Sequence, residues 1–488
     1  MINHATRLIP FMLSVALAGC AVGPDFETPP APEQQTYLPR RLGGDVVPGH
    51  VVVRGAEVPP QWWELLRSPA LNGLVEEGIA HNADLEAAEA ALRAAEANAR
   101  AQRGALFPVF GAGYTPTRQR VPLEQSSPLE SGANIFNLHT MQVTVTYVAD
   151  VWGGARRQIE SADALAELEK FRRQAVYLTL VSSIALAAIE EGRLNDQIAA
   201  TRRIINLQTE LLAILRKQSD HGQIAMPDVL SQETALAQAR LLLPALEKKL
   251  AQQRNLIAFL TGRFPAQAQA ARFRLASFTL PRNIPLSLSA DLVRQRPDVL
   301  AAEANLRAAN AQIGVAIANR LPQIALTANA GTAATRVSQL FSPAGTAWMV
   351  GASVAQTVFD AGTLENKQRA AEALTQQALA QYRGAVLAAF QNVADVLQAL
   401  QSDVREIQAA TTAQQAASRS VTLARRQIEQ GQVNTPILIS AQQAYLQASL
   451  ALIDAQASRL TNVVALYQAL GGGWWSRPVP AAPAAAED

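Results

Sequence analysis

Four segments of this 488-residue chain alternate apolar and polar side chains at every second position. The clearest is about 139–150, where Met141, Val143, Val145 and Tyr147 alternate with threonine and glutamine. A period of two predicts a β-strand with one apolar and one polar face. The other predicted strands are about 108–120, 322–331 and 347–359. Each has about 10–12 residues, which is the length of a tilted strand that crosses a membrane.

Two longer tracts, about 155–219 and 363–429, contain no proline and predict helices. At ~1.5 Å per residue, each is on the order of 100 Å long. Return helices are predicted at about 227–261 and 436–470, and Pro244 is expected to bend the first of them. They carry apolar residues seven apart, which are Leu236, Leu243, Leu250 and Ile257, then Leu446, Ile453, Leu460 and Tyr467. This spacing predicts an antiparallel coiled-coil hairpin, made twice.

The chain is duplicated internally. The 14 residues 84–97 recur at 298–311, an offset of 214, with 10 identities. The predicted hairpin tips repeat at an offset of 209, so that Gly222, Gln223, Pro227 and Ser231 match Gly431, Gln432, Pro436 and Ser440. A period near 210 is too long for a solenoid repeat. It predicts a first repeat at 62–262, a connecting equatorial segment at 263–290, a second repeat at 291–471 and a tail at 472–488.

The N-terminus carries the pattern of a lipoprotein signal. Arg7 precedes an eleven-residue run at 8–18 that is too short to span a bilayer. The sequence Leu-Ala-Gly at 17–19 then leads into Cys20, the only cysteine. We expect a signal peptide at 1–19, a diacylglyceryl and palmitoyl lipid on Cys20, and an extended leader over 20–61. Ala21 follows the cysteine, which favours the outer membrane as the destination.

Composition narrows the possible functions. A net charge of +2, with no basic cluster among aromatics, gives no sign of a nucleic-acid partner. The five histidines are scattered, and no nucleophile lies in a catalytic constellation. We therefore predict that the chain is not an enzyme and holds no metal and no cofactor besides the lipid.

Four membrane strands cannot close a barrel by themselves. An open sheet edge in hydrocarbon leaves unpaired backbone groups, each costing several kcal/mol. Several copies must therefore share one barrel. Two copies would give eight strands with a filled interior, and three would give twelve strands around a pore.

Motifs along nearly the whole mature chain resemble the outer-membrane factors, the TolC-like efflux channels, in their lipoprotein (OprM/NodT-type) branch. They are the segments 20–26, Trp62-Trp63, Arg296–Val299, Leu306–Ala309 and Ala469–Trp474. The resemblance implies a mixed fold, a trimeric 12-stranded outer-membrane β-barrel continued by an all-α coiled-coil, 12-helix periplasmic barrel. It also implies partners, namely a periplasmic adaptor (membrane fusion) protein, an inner-membrane pump of the RND type and outer-membrane lipids. The chain would then be the passive exit duct for small molecules delivered by the pump.

The resemblance also suggests site residues. The two tips, 222–231 and 431–440, would dock the adaptor, although Gly and Pro also serve ordinary turns there. Some family members place two carboxylates at the start of the last return helix, where this chain has Ile437 and Ser440. The residues expected at the periplasmic constriction are Asp228, Arg216, Arg425, Arg426 and Ile437. We predict a basic constriction in which Asp228 pairs with an arginine of a neighbouring hairpin, and the alternative is solvated helix-end charges.

Two other functions remain open. A structural lipoprotein without a pore would explain the helices and the lipid but not the four strands. A type I secretion exit channel would use the same architecture for a protein substrate. Single-channel conductance distinguishes a pore from a spacer.

Overall fold

The computed structural model describes residues 21–30, 32, 36–38, 51–122, 124, 129, 131–267, 273–286, 293–430 and 434–474. The helices are α1 (Pro69–His81), α2 (Ala83–Arg103), α3 (Gly154–Asp220), α4 (Met226–Leu260), α5 (Pro297–Ala318), α6 (Thr363–Glu429) and α7 (Thr435–Ala469). The strands are β1 (Val51–Arg54), β2 (Val109–Arg120), β3 (Ile135–Ala149), β4 (Asn283–Leu286), β5 (Gln323–Ala334) and β6 (Thr346–Ala355). Helices α3 and α6 both have 67 residues, and α4 and α7 both have 35, so the duplication extends to element length.

The chain divides into two compact units. The sheet unit comprises residues 1–29, 92–169 and 302–382, and the helical unit comprises residues 30–91, 170–301 and 383–488.

The sheet unit contains one antiparallel four-stranded sheet in the order β2-β3-β5-β6. Its ladders are continuous: Val109 to Arg120 pair with Thr146 to Ile135, and Gln323 to Thr332 pair with Ala355 to Thr346. The central ladder joins β3 to β5, with His139 opposite Ala334. Each hairpin therefore comes from one repeat, and the two repeats meet along β3 and β5.

Three strand boundaries differ from those predicted by three residues or more, and one of them is the end of β5, which continues to Ala334 rather than about 331. Strand β3 begins at Ile135, four residues before the predicted start, because its ladder with β2 continues to Arg120. The alternation fails as a guide there, since Phe136 and Leu138 place apolar side chains on the otherwise polar face. Strand β6 ends at Ala355 because that residue pairs with Gln323, the first residue of β5, and the ladder has no further partner.

The helical unit is packed around the middle of α3 and the end of α7. Trp62 is 1% exposed and its ring stacks on Tyr467 at a centroid distance of 5.3 Å. Trp63 meets Trp62 edge-on at 6.1 Å. The short parallel pair β1–β4 belongs to this unit. Pro244 lies inside α4, which continues through it without a break in the helix.

Candidate functional site: sheet faces, leader contacts and hairpin tips

The two faces of the four-stranded sheet differ in chemistry. On one face, which we call the apolar face, large side chains are exposed, including Phe110 (72%), Val350 (72%) and Trp348 (76%). The opposite, polar face carries mainly threonine, glutamine, asparagine, serine, glycine and alanine. The four strands contain no aspartate, glutamate or lysine. An exposed apolar sheet face of this size is typical of contact with lipid.

Strands β2 and β6 form the two edges of this sheet. Within the described residues, the outward backbone groups of these strands have no strand partner. Such an edge, 12 residues long in β2 and 10 in β6, cannot remain open in hydrocarbon. The sheet is therefore a part of a larger closed barrel.

The residues after Cys20 belong to the sheet unit and pack against its helices and the β3–α3 turn, which the sequence did not predict. The Val22 amide donates to the Trp152 carbonyl at 3.0 Å. The Arg157 guanidinium donates to the carbonyls of Val22 (3.2 Å) and Gly23 (3.3 Å) and to Asp25 (2.6 Å). The Arg157 side chain is only 6% exposed. The Arg157 side chain therefore binds the leader mainly at two of the leader's backbone carbonyls and also at the Asp25 carboxylate.

Further along the leader, three other contacts continue this attachment. The Asn310 amide donates to the Pro24 carbonyl at 3.0 Å, and the Thr28 hydroxyl donates to Glu303 at 3.2 Å. Arg307 lies over the Phe26 ring at 5.4 Å. The only sequence signal for the Arg157 contacts is the pair of arginines after Gly153-Gly154, which does not reveal partners more than 130 residues away.

A glycine pair sets how closely the leader approaches α5. Gly23 has φ +97°, and a Cβ built on it would lie 2.6 Å from the Gly314 Cα. A Cβ on Gly314 would lie 2.7 Å from the Val22 carbonyl oxygen. Only glycine at both positions lets the two backbones touch.

The first hairpin tip is formed by Gly222 and the start of α4. Gly222 has φ +74°, and the Gln223 amide closes the turn onto the Gln218 carbonyl at 2.8 Å. Pro227 lies in the first turn of α4, where a missing amide hydrogen costs nothing. The Ser231 hydroxyl donates to the Pro227 carbonyl at 2.8 Å.

The second tip is described only in part. Gly431 and Gln432 lie outside the described residues. Helix α7 begins at Thr435, with Asn434 before it and Pro436 in its first turn, as Met226-Pro227 begin α4. Ser440 is exposed.

A shared apolar cluster joins both hairpins near the tips. Its buried members are Leu211, Leu212, Leu215, Val229, Leu236, Ala424, Leu438 and Ala441. They come from all four hairpin helices, so each tip is supported by the other repeat. The helix ends beside both tips are therefore packed against one another.

The charges near the tips are partly paired. Arg216 donates to Glu233 at 2.5 Å, which joins α3 to α4. Arg425 and Arg426 are exposed near the end of α6, and Ile437 is 50% exposed. Within the described part of a single chain, Asp228 makes no ion pair. Its predicted pairing with an arginine of another hairpin stays a prediction for an assembled pore.

Buried ionic groups in the helical unit have structural partners. Glu191 is 1% exposed and accepts from Arg254 at 3.0 Å. Burial raises the pKa of the Glu191 carboxyl, and the arginine opposes this rise. Asp403 accepts two hydrogen bonds from Asn462 at 2.9 and 3.1 Å, and burial raises its pKa too. Over the described ranges no cluster of histidine, cysteine and carboxylate side chains could hold a metal ion.

A duplicated chain with two long helical hairpins and two membrane-length strand hairpins defines a subunit of a TolC-like outer-membrane channel, as predicted. The outer membrane efflux protein family matches residues 74–263 and 288–472. The chain belongs to this family. It is an outer-membrane component of an efflux pump and not an enzyme.

Individual relatives agree with this assignment. The toluene efflux pump outer membrane protein TtgC of Pseudomonas putida is 30% identical over 464 residues, 94% of each chain. The pyoverdine export outer membrane protein OpmQ of Pseudomonas putida is 30% identical over 422 residues, 85% of this chain and 88% of the relative. The solved structure of the outer-membrane channel OprN has a TM-score of 0.83 and 26% identity, covering 93% of this chain and 100% of that chain.

Proposed function

We propose that three copies of this chain form a 12-stranded barrel that serves as the exit duct of a tripartite efflux system. The observation that carries the proposal is the open four-stranded sheet with two membrane-length edges. Three copies give a barrel wide enough for an aqueous pore, whereas eight strands are filled by side chains. The polar faces of the strands then line the duct, and the apolar faces meet lipid.

The internal duplication supplies the register between neighbouring copies. Strand β2 maps onto β5 at an offset of 214, and β3 maps onto β6 at 209, because Val109 pairs with Thr146 as Gln323 pairs with Ala355. Within one chain, Thr144 of β3 lies opposite Asn329 of β5. Applying the two offsets to this pair places Ser353 opposite Thr115 of the next copy. Both residues belong to the polar face, so the register also preserves the two faces.

A cysteine pair tests this closure. Thr115→Cys combined with Ser353→Cys should crosslink under mild oxidation, because opposed residues bring their Cβ atoms to about 4.5–5.5 Å. The expected product on a denaturing gel is a covalent trimer. The matched control, Thr115→Cys with Val354→Cys, places the two thiols on opposite faces and should stay uncrosslinked. A product that stops at the dimer contradicts the twelve-stranded barrel.

Conductance tests the duct itself. The crosslinked trimer should give discrete single-channel currents in a planar bilayer. A crosslinked species without conductance would identify a structural lipoprotein instead.

We further propose that Cys20 carries the lipid and that the hairpin tips receive the periplasmic adaptor. The leader supports the first part, since the residues just after Cys20 are held within the sheet unit by Arg157. The shared apolar cluster supports the second, since it packs the helix ends beside both tips against one another. Cys20→Ser should abolish incorporation of labelled palmitate. Unchanged labelling would refute lipidation at this residue.

The pump that loads this duct is proposed to be of the RND type, and the cargo to be small molecules. The names of the relatives, which refer to toluene and pyoverdine, support a small-molecule cargo. Deletion of the gene in its host should sensitise the cells to such compounds, and complementation by the Thr115→Cys/Val354→Cys control should restore resistance.

A further inference from the structure

The only charged side chains in the four strands are Arg118 and Arg120, near the loop end of β2. Both have the same strand parity as Phe110 and Tyr114, so they lie on the apolar face. A cation is costly in the middle of a lipid-facing surface but is tolerated near its edge, where the phosphate groups of lipids lie. Neither arginine forms an ion pair with any described residue.

A third arginine, Arg336, lies at the same end of the sheet as Arg118 and Arg120. Arg118 lies opposite Asn137 on β3, and His139 lies opposite Ala334 on β5. The backbone at Arg336, two residues beyond Ala334, has extended dihedral angles (φ −134°, ψ 142°). The ladder with β3 ends at Ala334 and the chain bends at Thr335 and Arg336, so Arg336 directly follows the end of the strand. It therefore lies at the same loop end of the sheet as Arg118 and Arg120.

In the proposed barrel, the arginines at the loop end of β2 lie at the edge of the hydrocarbon layer. Ten residue steps separate Phe110 from Arg120 on the apolar face. At ~3.3 Å per residue and a tilt of about 40°, this is roughly 25 Å of height, which places Arg120 at the edge of an apolar band of about 25 Å. Aromatic side chains, which are common at the boundary between lipid and water, lie close to these arginines. Tyr114 bonds His139 at 2.8 Å, and the proposed register places Trp348 of the next copy opposite Arg120.

We propose that Arg118, Arg120 and Arg336 bind the phosphate groups of a phosphorylated glycolipid of the lipid A type in the outer leaflet. This inference rests on the proposed barrel, which puts the apolar face in lipid and the loop ends of the strands outside. Guanidinium groups bind phosphate through paired, charge-assisted hydrogen bonds. The apolar rows below them, led by Tyr114 and Met141, contact the acyl chains of the same molecule. Charge complementarity and height thus favour one kind of lipid, with phosphate groups at the level of the arginines and several acyl chains along the apolar face beneath them.

The test uses the purified full-length protein in detergent and three probes, which are bis-phosphorylated lipid A, the same lipid A without phosphates, and phosphatidylglycerol. Retained lipid is counted by native mass spectrometry. Wild-type protein should bind bis-phosphorylated lipid A about tenfold or more tightly than either other probe. The variant R118Q/R120Q/R336Q should lose this preference, and R118K/R120K/R336K should keep part of it. The matched control R240Q/R383Q/R419Q removes three exposed helical arginines and should bind as wild type.

Three results would overturn the inference: unchanged binding in the triple glutamine variant, equal binding of dephosphorylated lipid A, or equal binding of phosphatidylglycerol. The Thr115→Cys/Ser353→Cys pair is also introduced into the protein with native arginines and into each arginine variant, and crosslinking is measured in all of them. If the protein with native arginines yields no covalent trimer, the barrel proposal fails. If trimers form normally while the arginine substitutions leave lipid A binding intact, only the present inference fails.

Discussion

Arg157 offers the sharpest test of how the leader is held. Its guanidinium contacts the leader at two backbone carbonyls and one carboxylate, and it also bonds Glu160 at 2.8 Å on its own helix. We predict that Arg157→Ala releases residues 21–28 while the sheet itself stays formed. Asp25→Asn should release them far less, because the Asp25 side chain is 92% exposed and solvent screens its ion pair.

The size of the effect follows from these contacts. A hydrogen bond from a charged donor contributes about 1.5–3 kcal/mol, and the two carbonyl contacts are long, at 3.2 and 3.3 Å. The exposed ion pair adds at most about 1 kcal/mol. We therefore expect Arg157→Ala to weaken the attachment by about 2–4 kcal/mol. This corresponds to a factor of about 30 to 1,000 in the equilibrium between attached and released leader.

Hydrogen exchange of the Val22 amide measures this equilibrium directly, since that amide donates to the Trp152 carbonyl. Protection in the peptide covering residues 21–30 should fall by that factor in Arg157→Ala and by less than about tenfold in Asp25→Asn. Equal protection in wild type and Arg157→Ala would refute the assignment. So would an equal loss in both variants, because the carboxylate rather than the carbonyl contacts would then hold the leader.

Three further predictions concern residues of the helical unit. Trp62→Ala removes a ring that is 1% exposed and should cost about 3–5 kcal/mol, lowering the apparent melting temperature in detergent, whereas Trp348→Ala, 76% exposed, should change it little. An equal shift in both would contradict the packing described. Because burial raises the pKa of Asp403, the folded state takes up this proton before the unfolded state does, so the contribution of this group to stability should grow as pH falls towards the usual pKa range of an aspartate. Asp403→Asn should flatten this dependence, and identical melting-versus-pH slopes would refute it. Arg426→Ala should shift pore selectivity in planar bilayers towards cations, and an unchanged reversal potential would remove Arg426 from the constriction.

Sequence patterns predicted the elements well where a single period governed them. The proline-free tracts gave α3 and α6 nearly to the residue, since 67 residues of helix need only the absence of a breaker and a glycine at the end. The strand parity was also right, because the lipid and the lumen impose opposite chemistry on successive residues. The prediction weakened at the start of β3, where Phe136 and Leu138 place apolar side chains on the otherwise polar face.

The contacts of the leader could not be predicted in this way. Gly23 on Gly314 and Arg157 on the Val22 carbonyl join segments with no shared period, and their partners are backbone atoms that no side-chain pattern reveals. The cap of α2 shows the same limit on a small scale. Asn82 and Asp84 are both residue types that cap helices, and the Leu85 amide donates to the Asn82 side chain at 3.1 Å. Two plausible capping residues stood two positions apart, and only the backbone geometry chooses between them.

The polar face of the sheet has a consequence for transport. From Val109 to Gln119 on β2, and equally on the other three strands, this face bears no ionisable side chain. A wall made mainly of hydroxyl, amide and small side chains, with a few apolar ones, carries no net charge and so repels neither cations nor anions. In the proposed pore, the membrane stretch would therefore act as a neutral outlet, and any sorting of cargo by charge would have to happen before a molecule reaches it.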